Sequence, residues 1–99
     1  MIHEIAFIDV APGNHEEFEA AVQRAVAEVL SSAKGFAGFT LTKGVEQGNT
    51  YALLIRWETL EDHTVGFREG ELFPKWRAII GEYFAAPPRV DHWTDLFSH

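Results

Sequence analysis

Hydrophobic and polar positions change period along this chain, and each change marks an element. Residues 2–10 (IHEIAFIDV) alternate in short steps and are rich in Ile, Phe and Val, which predicts a strand. Pro12-Gly13 ends it. Asn14 is placed to cap a helix with Glu17 three residues on, the capping-box spacing, and Glu16, Glu17 and Glu19 suit the positive end of the helix dipole. Phe18, Ala21, Val22, Ala25, Val26, Val29 and Leu30 then recur at helical spacing, leaving Glu19, Gln23, Arg24 and Glu28 outward. Lys34-Gly35 supplies a cationic last turn and a residue able to close the helix in the left-handed conformation. Residues 36–43 (FAGFTLTK) and 50–57 (TYALLIRW) read as strands joined through Glu46-Gln47-Gly48-Asn49, a hairpin. Thr59 caps the next helical region through Asp62. Gly70 and Pro74 divide that region into a helix near 60–68 and another near 71–85, whose Trp76, Ile79, Ile80, Tyr83 and Phe84 form an apolar stripe. Pro87-Pro88 stops it, and residues 89–97 (RVDHWTDLF) make a last strand.

The order β-α-β-β-α-β in one domain over residues 1–99 predicts an α+β, ferredoxin-like split βαβ fold, a four-stranded antiparallel sheet with both helical regions on one face. The other face of such a sheet is ordinarily polar. Here both are apolar. The first strand has Ile2, Ala6, Ile8 and Val10 on one parity and Ile5 and Phe7 on the other; the third has Tyr51, Leu53, Ile55 and Trp57 against Ala52 and Leu54; the last has Val90 and Leu96 against Trp93 and Phe97. Helices cover one face only, so the second requires another sheet, and a second copy of the chain is the economical supplier. The expectation is a homodimer packed sheet on sheet.

Composition narrows the partners. An apolar fraction of 46% with thirteen aromatics supports a packed core, and 15 acidic against 8 basic residues give a net charge of −7, which argues against nucleic acid and anionic membranes. The acids are dispersed. No apolar run reaches membrane-spanning length and the first residues lack a secretory pattern, so a soluble, cytoplasmic chain is expected. Absence of cysteine removes thiolate nucleophiles and cysteine-based metal sites, and the five histidines show no metal-ligand spacing, so no metal is expected.

The stretch Trp57–Arg77, WETLEDHTVGFREGELFPKWR, resembles the antibiotic biosynthesis monooxygenase family of dimeric α+β barrels: a third strand ending in Trp-Glu, a short acidic opening with His, then an apolar helix and a last strand. The likeness of element order extends over nearly the whole chain. It implies a ligand cavity between the helices and the concave sheet, with Trp57, His63, Phe67, Trp76 and His92 near it, and a reaction drawn from a group that includes cofactor-free quinol and anthrone oxygenases and haem-degrading enzymes. The haem-degrading members carry an Asn on the first strand. Here that strand has none, the only two being Asn14 and Asn49 in loops, so haem degradation is not expected; the strand Asn of anthrone-type oxygenases is missing too.

Cofactor-independent oxygenation needs an electron-rich substrate made richer by loss of a proton, a base near neutrality, and an apolar pocket that excludes water. Histidine suits the base because its ordinary pKa is about 6.5. His63, in the first turn of a helix, and His92, mid-strand, are the candidate bases; a capping or surface role for His63 and a satisfied core role for His92 are the plainer readings. Trp57, Phe67, Trp76, Tyr83 and Arg56 are the candidate substrate-binding residues. Packing is the default reading of Trp76 and Tyr83; Tyr51 is a further candidate oxyanion donor with the same default; and Arg56, which shares the parity of Ala52 and Leu54, read as inner, has pairing with an acid such as Glu4 or Asp9 as the plainer alternative. Arg68 and Arg77 are assigned to the surface or to salt bridges. The function the resemblance implies is a monooxygenase that needs no cofactor and acts on a small aromatic, quinol or polyketide-like molecule with molecular oxygen. A small-ligand-binding or stress-response dimer of the same fold is the alternative, and a pure oligomerisation module would require the pocket to be filled.

Overall fold

The computed structural model describes residues 1–99. Strand β1 (Ile2–Asp9) leads through a short 3-10 turn at Pro12–Asn14 into helix α1 (His15–Glu28), followed by the hairpin β2 (Phe36–Lys43) and β3 (Thr50–Trp57). A π-helical segment (Asp62–Phe67), helix α2 (Leu72–Ile80) and strand β4 (Arg89–Thr94) complete the chain. The sheet order is β2-β3-β1-β4, every neighbouring pair antiparallel, so the four-stranded split βαβ arrangement is as expected. No helix is long and apolar enough to cross a membrane.

Element boundaries differ from the expected ones where 3-10 turns flank the helices. The Asn14 side chain makes no capping bond, and the preceding turn Pro12–Asn14 delivers the chain into α1 instead. α1 stops at Glu28, and a 3-10 turn at Leu30–Ser32 carries the chain to Gly35, whose φ of 82° is the expected left-handed conformation. Asp62 N–H does donate to Thr59 Oγ1, at 3.1 Å. The second helical region is shorter than 71–85, because the α-helix gives way to a 3-10 turn at Gly81–Tyr83. β4 ends at Thr94, leaving Leu96 and Phe97 exposed.

Residue parity decides what each face of the sheet carries. Ala6 and Ile8 of β1 and Tyr51, Leu53, Ile55 and Trp57 of β3 point toward the helices and join Phe18, Val22, Ala25 and Leu30 of the α1 region in one core. The Val, Leu, Ile and Phe side chains among them stabilise the fold by about 1.5–3 kcal/mol each when fully buried. The alternate residues form the outer face. There Ile5 pairs with Leu54 and Phe7 with Ala52, and Trp93 of β4 stands beside His3, more than half exposed. Arg56 lies on this outer face, opposite Gly38 at the bulge that shifts the β2 register. A Cβ at Gly38 would lie 2.0 Å from the Arg56 Nη2. The glycine therefore makes room for the guanidinium, which donates to the Ala37 carbonyl at 3.4 Å.

Candidate active site

On the helix face, β1 brings a carboxylate into the core. Glu4 has the parity of Ala6 and Ile8 and pairs across the sheet with Ile55 on one side and His92 on the other. It is only 5% exposed, and with His63 it forms the whole set of buried polar residues. A buried carboxyl without partners costs several kcal/mol, so its surroundings matter. The Trp57 indole N–H donates to Oε1 at 2.9 Å, and His63 Nε2 lies 3.3 Å from the same oxygen. His63 Nδ1 is in turn 2.7 Å from His92 Nε2. With the His63 proton on Nε2, facing Glu4, Nδ1 accepts from the His92 N–H, and a continuous polar line runs from the buried carboxyl to the half-buried edge strand.

The π-helical segment explains how His63 arrives there. Its backbone bond from Arg68 N–H to the His63 carbonyl spans five residues, at 2.9 Å. In this wider turn the residues four and five beyond His63 straddle its direction, so His63, Phe67 and Arg68 all reach one cavity, whereas a regular helix would swing Arg68 away. The His63 ring stacks on Trp57 with centroids 5.3 Å apart and planes 20° from parallel. Phe67 packs against both rings, its centroid 5.5 Å from that of Trp57 and 6.2 Å from that of His63.

These groups line or adjoin a cavity of about 460 Å³, within the range of small-molecule sites. Its floor is Glu4, Ala6, Ile8 and His63, and its walls include Phe73, Trp76, Ile80 and Phe84. Arg68 and Arg77 stand at the mouth. Burial pushes the Glu4 carboxyl up from 4.5 to about 7, against the Trp57 N–H and the Arg68 charge, which favour the anion. Burial, then His92 and Arg68, push His63 down from 6.5 to about 4. His92 is lowered by burial and Arg68, with Asp91 opposing. At neutral pH both imidazoles are neutral and Glu4 is divided between its two forms.

The residues singled out from the sequence fare unequally. His63, Phe67 and Trp76 line the cavity. His92 touches it through His63. Trp57 is fully buried beneath the floor, its N–H committed to Glu4, so it supports the site from behind and is not a wall. Tyr83 packs edge-on against Phe18 away from the cavity, and Tyr51 donates its hydroxyl to Glu19 beside α1. Arg56, on the opposite sheet face, meets neither the cavity nor Glu4 nor Asp9. Glu4 itself was missed, although an acid on the helix-facing parity of an otherwise apolar strand was a visible signal. Arg68 and Arg77 are exposed, as the sequence suggests, but both also line the cavity, which a regular helical period gives no reason to expect.

Known proteins place this geometry in context. The family model for the antibiotic biosynthesis monooxygenases matches residues 1–79. The chain is 38% identical over 96 residues to the uncharacterised protein YczJ of Bacillus subtilis strain 168, covering 97% of this chain and 100% of that one. A crystal structure from Bordetella bronchiseptica, assigned to the antibiotic biosynthesis monooxygenases, superposes with a TM-score of 0.91 at 40% identity over 97% of each chain. The fold is also that of a Streptomyces coelicolor monooxygenase from the gene ActVA-Orf6, in complex with nanaomycin D, at a TM-score of 0.84 and 16% identity over 99% of this chain and 89% of the other. With a matching family model over most of its length and relatives near 40% identity from end to end, the chain belongs to the antibiotic biosynthesis monooxygenase family.

Proposed function

We propose that this chain is a cofactor-independent monooxygenase that takes a small aromatic, quinol or polyketide-like substrate and molecular oxygen. The observation that carries the reading is Glu4, a buried carboxyl of pKa about 7 on the floor of an apolar cavity and in contact with a neutral histidine. Both Trp57 and His63 approach Oε1, which leaves Oε2 to meet a ligand. For an activated methylene, Oε2 takes the proton, and the resulting anion passes one electron to dioxygen. Recombination forms a hydroperoxide, whose O–O bond breaks as the second methylene proton leaves. CH₂ thus becomes C=O and the other oxygen departs as water, so the substrate supplies every electron. Glu4 returns the first proton to the peroxide oxygen and takes up the second, which leaves with the departing hydroxide as water. The walls exclude water, which would otherwise solvate the anion and weaken its drive to reduce oxygen. His63, held in turn by His92, donates to Oε1 and orients the carboxyl in this scheme instead of acting as the first base.

Oxygen uptake with a hydroquinone and anthrone panel, corrected for autoxidation, tests this. Glu4→Gln should lower the rate at least ~100-fold, in the range of general-base contributions. Uptake unchanged both in that variant and in the His63→Ala, His92→Ala double variant would refute the assignment. Saturable binding without oxygen uptake would favour the ligand-binding dimer instead. We further propose that the outer sheet face, with Ile5, Phe7, Leu54 and Trp93, packs against a second copy of the chain.

A further inference from the structure

Positive charge is scarce in this chain, and its placement is uneven. Of the five arginines, Arg24 pairs with Glu28, Arg89 with Asp91, and Arg56 donates to the Ala37 carbonyl. Arg68 and Arg77 have no carboxylate within 4.0 Å, although Glu69 and Glu71 stand beside Arg68 in the sequence and acidic residues outnumber basic ones 15 to 8. Both line the cavity. Their guanidinium carbons lie 5.4 and 6.0 Å from the centre of the Phe73 ring, and that of Arg77 lies 5.0 Å from the centre of Phe84. Such stacking leaves the in-plane N–H forks free, because a guanidinium donates along its plane and stacks through its face.

The cavity is therefore polarised: a cationic mouth, aromatic walls, and a buried carboxyl with a neutral imidazole at the floor. Guanidinium forks match carboxylates in a bidentate arrangement. A doubly charged ligand is disfavoured by the Glu4 carboxylate below and by the net charge of −7. We propose that the cavity binds an aromatic monocarboxylate, its carboxylate held by Arg68 and Arg77 at the mouth, its ring against Phe73, Phe84 and Ile80, and its far edge directed at Glu4. This deepens the reading of the cavity as the substrate site and rests on it. The carboxylate fixes which end of the substrate reaches the base. A carboxyl-bearing phenol or hydroquinone then presents the proton to be removed at Glu4, and its ionic end remains near water.

Calorimetric titration with 2-naphthoate, its neutral analogue 2-naphthamide and the dianion 2-naphthyl phosphate tests the charge requirement without turnover. The expected result is one 2-naphthoate per chain, bound roughly tenfold tighter than 2-naphthamide, with the preference shrinking as salt rises. Arg68→Gln and Arg77→Gln should each lower 2-naphthoate affinity about fivefold and leave 2-naphthamide unchanged. Arg24→Gln should alter neither. Equal binding of the acid and the amide, tighter binding of the phosphate, equal losses for both probes in the arginine variants, or no binding of 2-naphthoate at millimolar concentration would overturn the proposal. Selective 2-naphthoate binding in a protein that consumes no oxygen would support the anion site and count against the oxygenase alone.

Discussion

Glu4→Gln should change the pH dependence of stability in a direction that few surface substitutions imitate. Glutamine is nearly isosteric with the protonated acid and still offers an oxygen to the Trp57 N–H. In the wild type the folded carboxyl titrates at about 7, against 4.5 for the ordinary group. Between these values the folded chain holds a proton that the unfolded chain has lost, so stability falls as pH rises through the interval. At about 1.4 kcal/mol per pH unit, the loss is about 3 kcal/mol. His63 works in the opposite sense. Its folded pKa of about 4 lies below 6.5, so stability is full above 6.5 and is lost as pH falls toward 4. The two slopes cancel over the pH range they share in the wild type, and above it only the decline from Glu4 remains. The glutamine variant should show the His63 slope alone, rising toward pH 6.5 and then level. Urea unfolding at pH 5 and pH 8, at fixed protein concentration so that the proposed dimer would contribute equally to apparent stability, measures this. Relative to pH 5, the variant should gain about 3 kcal/mol on the wild type at pH 8, a midpoint difference of roughly 1–3 M urea. An unchanged difference between the two proteins at pH 5 and pH 8 would mean that the carboxyl is not raised, and the base assignment would fall with it.

Further outcomes follow from the same geometry. Trp57→Phe removes the indole N–H that favours the Glu4 anion, so the carboxyl should titrate higher still and the fold should lose about 1–3 kcal/mol; carboxyl-carbon NMR and urea unfolding read the two effects. His92→Ala removes a repulsive neighbour of the His63 imidazolium, so the His63 ring should titrate closer to 6.5, visible in its proton NMR shifts. Gly35→Ala forces a side chain into a left-handed φ of 82°, where its Cβ would lie 2.0 Å from Asp62 Oδ2. A loss of about 1–3 kcal/mol in urea unfolding is expected, and none would contradict that placement of Asp62. Leu54→Asp on the outer sheet face should halve the mass seen by light scattering while leaving the secondary structure intact.

Much of this molecule was legible because alternation and helical spacing survive in the residues themselves. β1, α1 and the hairpin follow the apolar periods closely, and the two-sided apolar sheet follows from parity alone. The site was less legible, for two physical reasons. The segment at 62–67 takes a π turn, whose period no amphipathic pattern announces, so nothing in the sequence shows that Arg68, exposed as expected, also lines the cavity. Arg56 was placed inward because it shares the parity of Ala52 and Leu54, which proves to be the parity of the outer face. The helices settle that question by covering the side with the heavier residues Tyr51, Leu53, Ile55 and Trp57. Glu4 shows the reverse case. The rule that acids stay outside hid the one position where a pocket and two neighbours make a buried carboxyl tolerable.

The placement of the floor on β1 has a consequence for how quickly a ligand exchanges. β1 is hydrogen-bonded to β3 on one side and β4 on the other, so Glu4 can shift only if both ladders break. The mouth residues belong instead to the short segments between Asp62 and Tyr83, which are joined to the sheet by few backbone bonds. Amides of β1 should therefore exchange with solvent only through global unfolding, and those around Arg68 and Gly70 through smaller openings. Residence time would be set by the helical segments moving over a stationary sheet. Substitutions there would alter association and dissociation together, without disturbing the proton chemistry below.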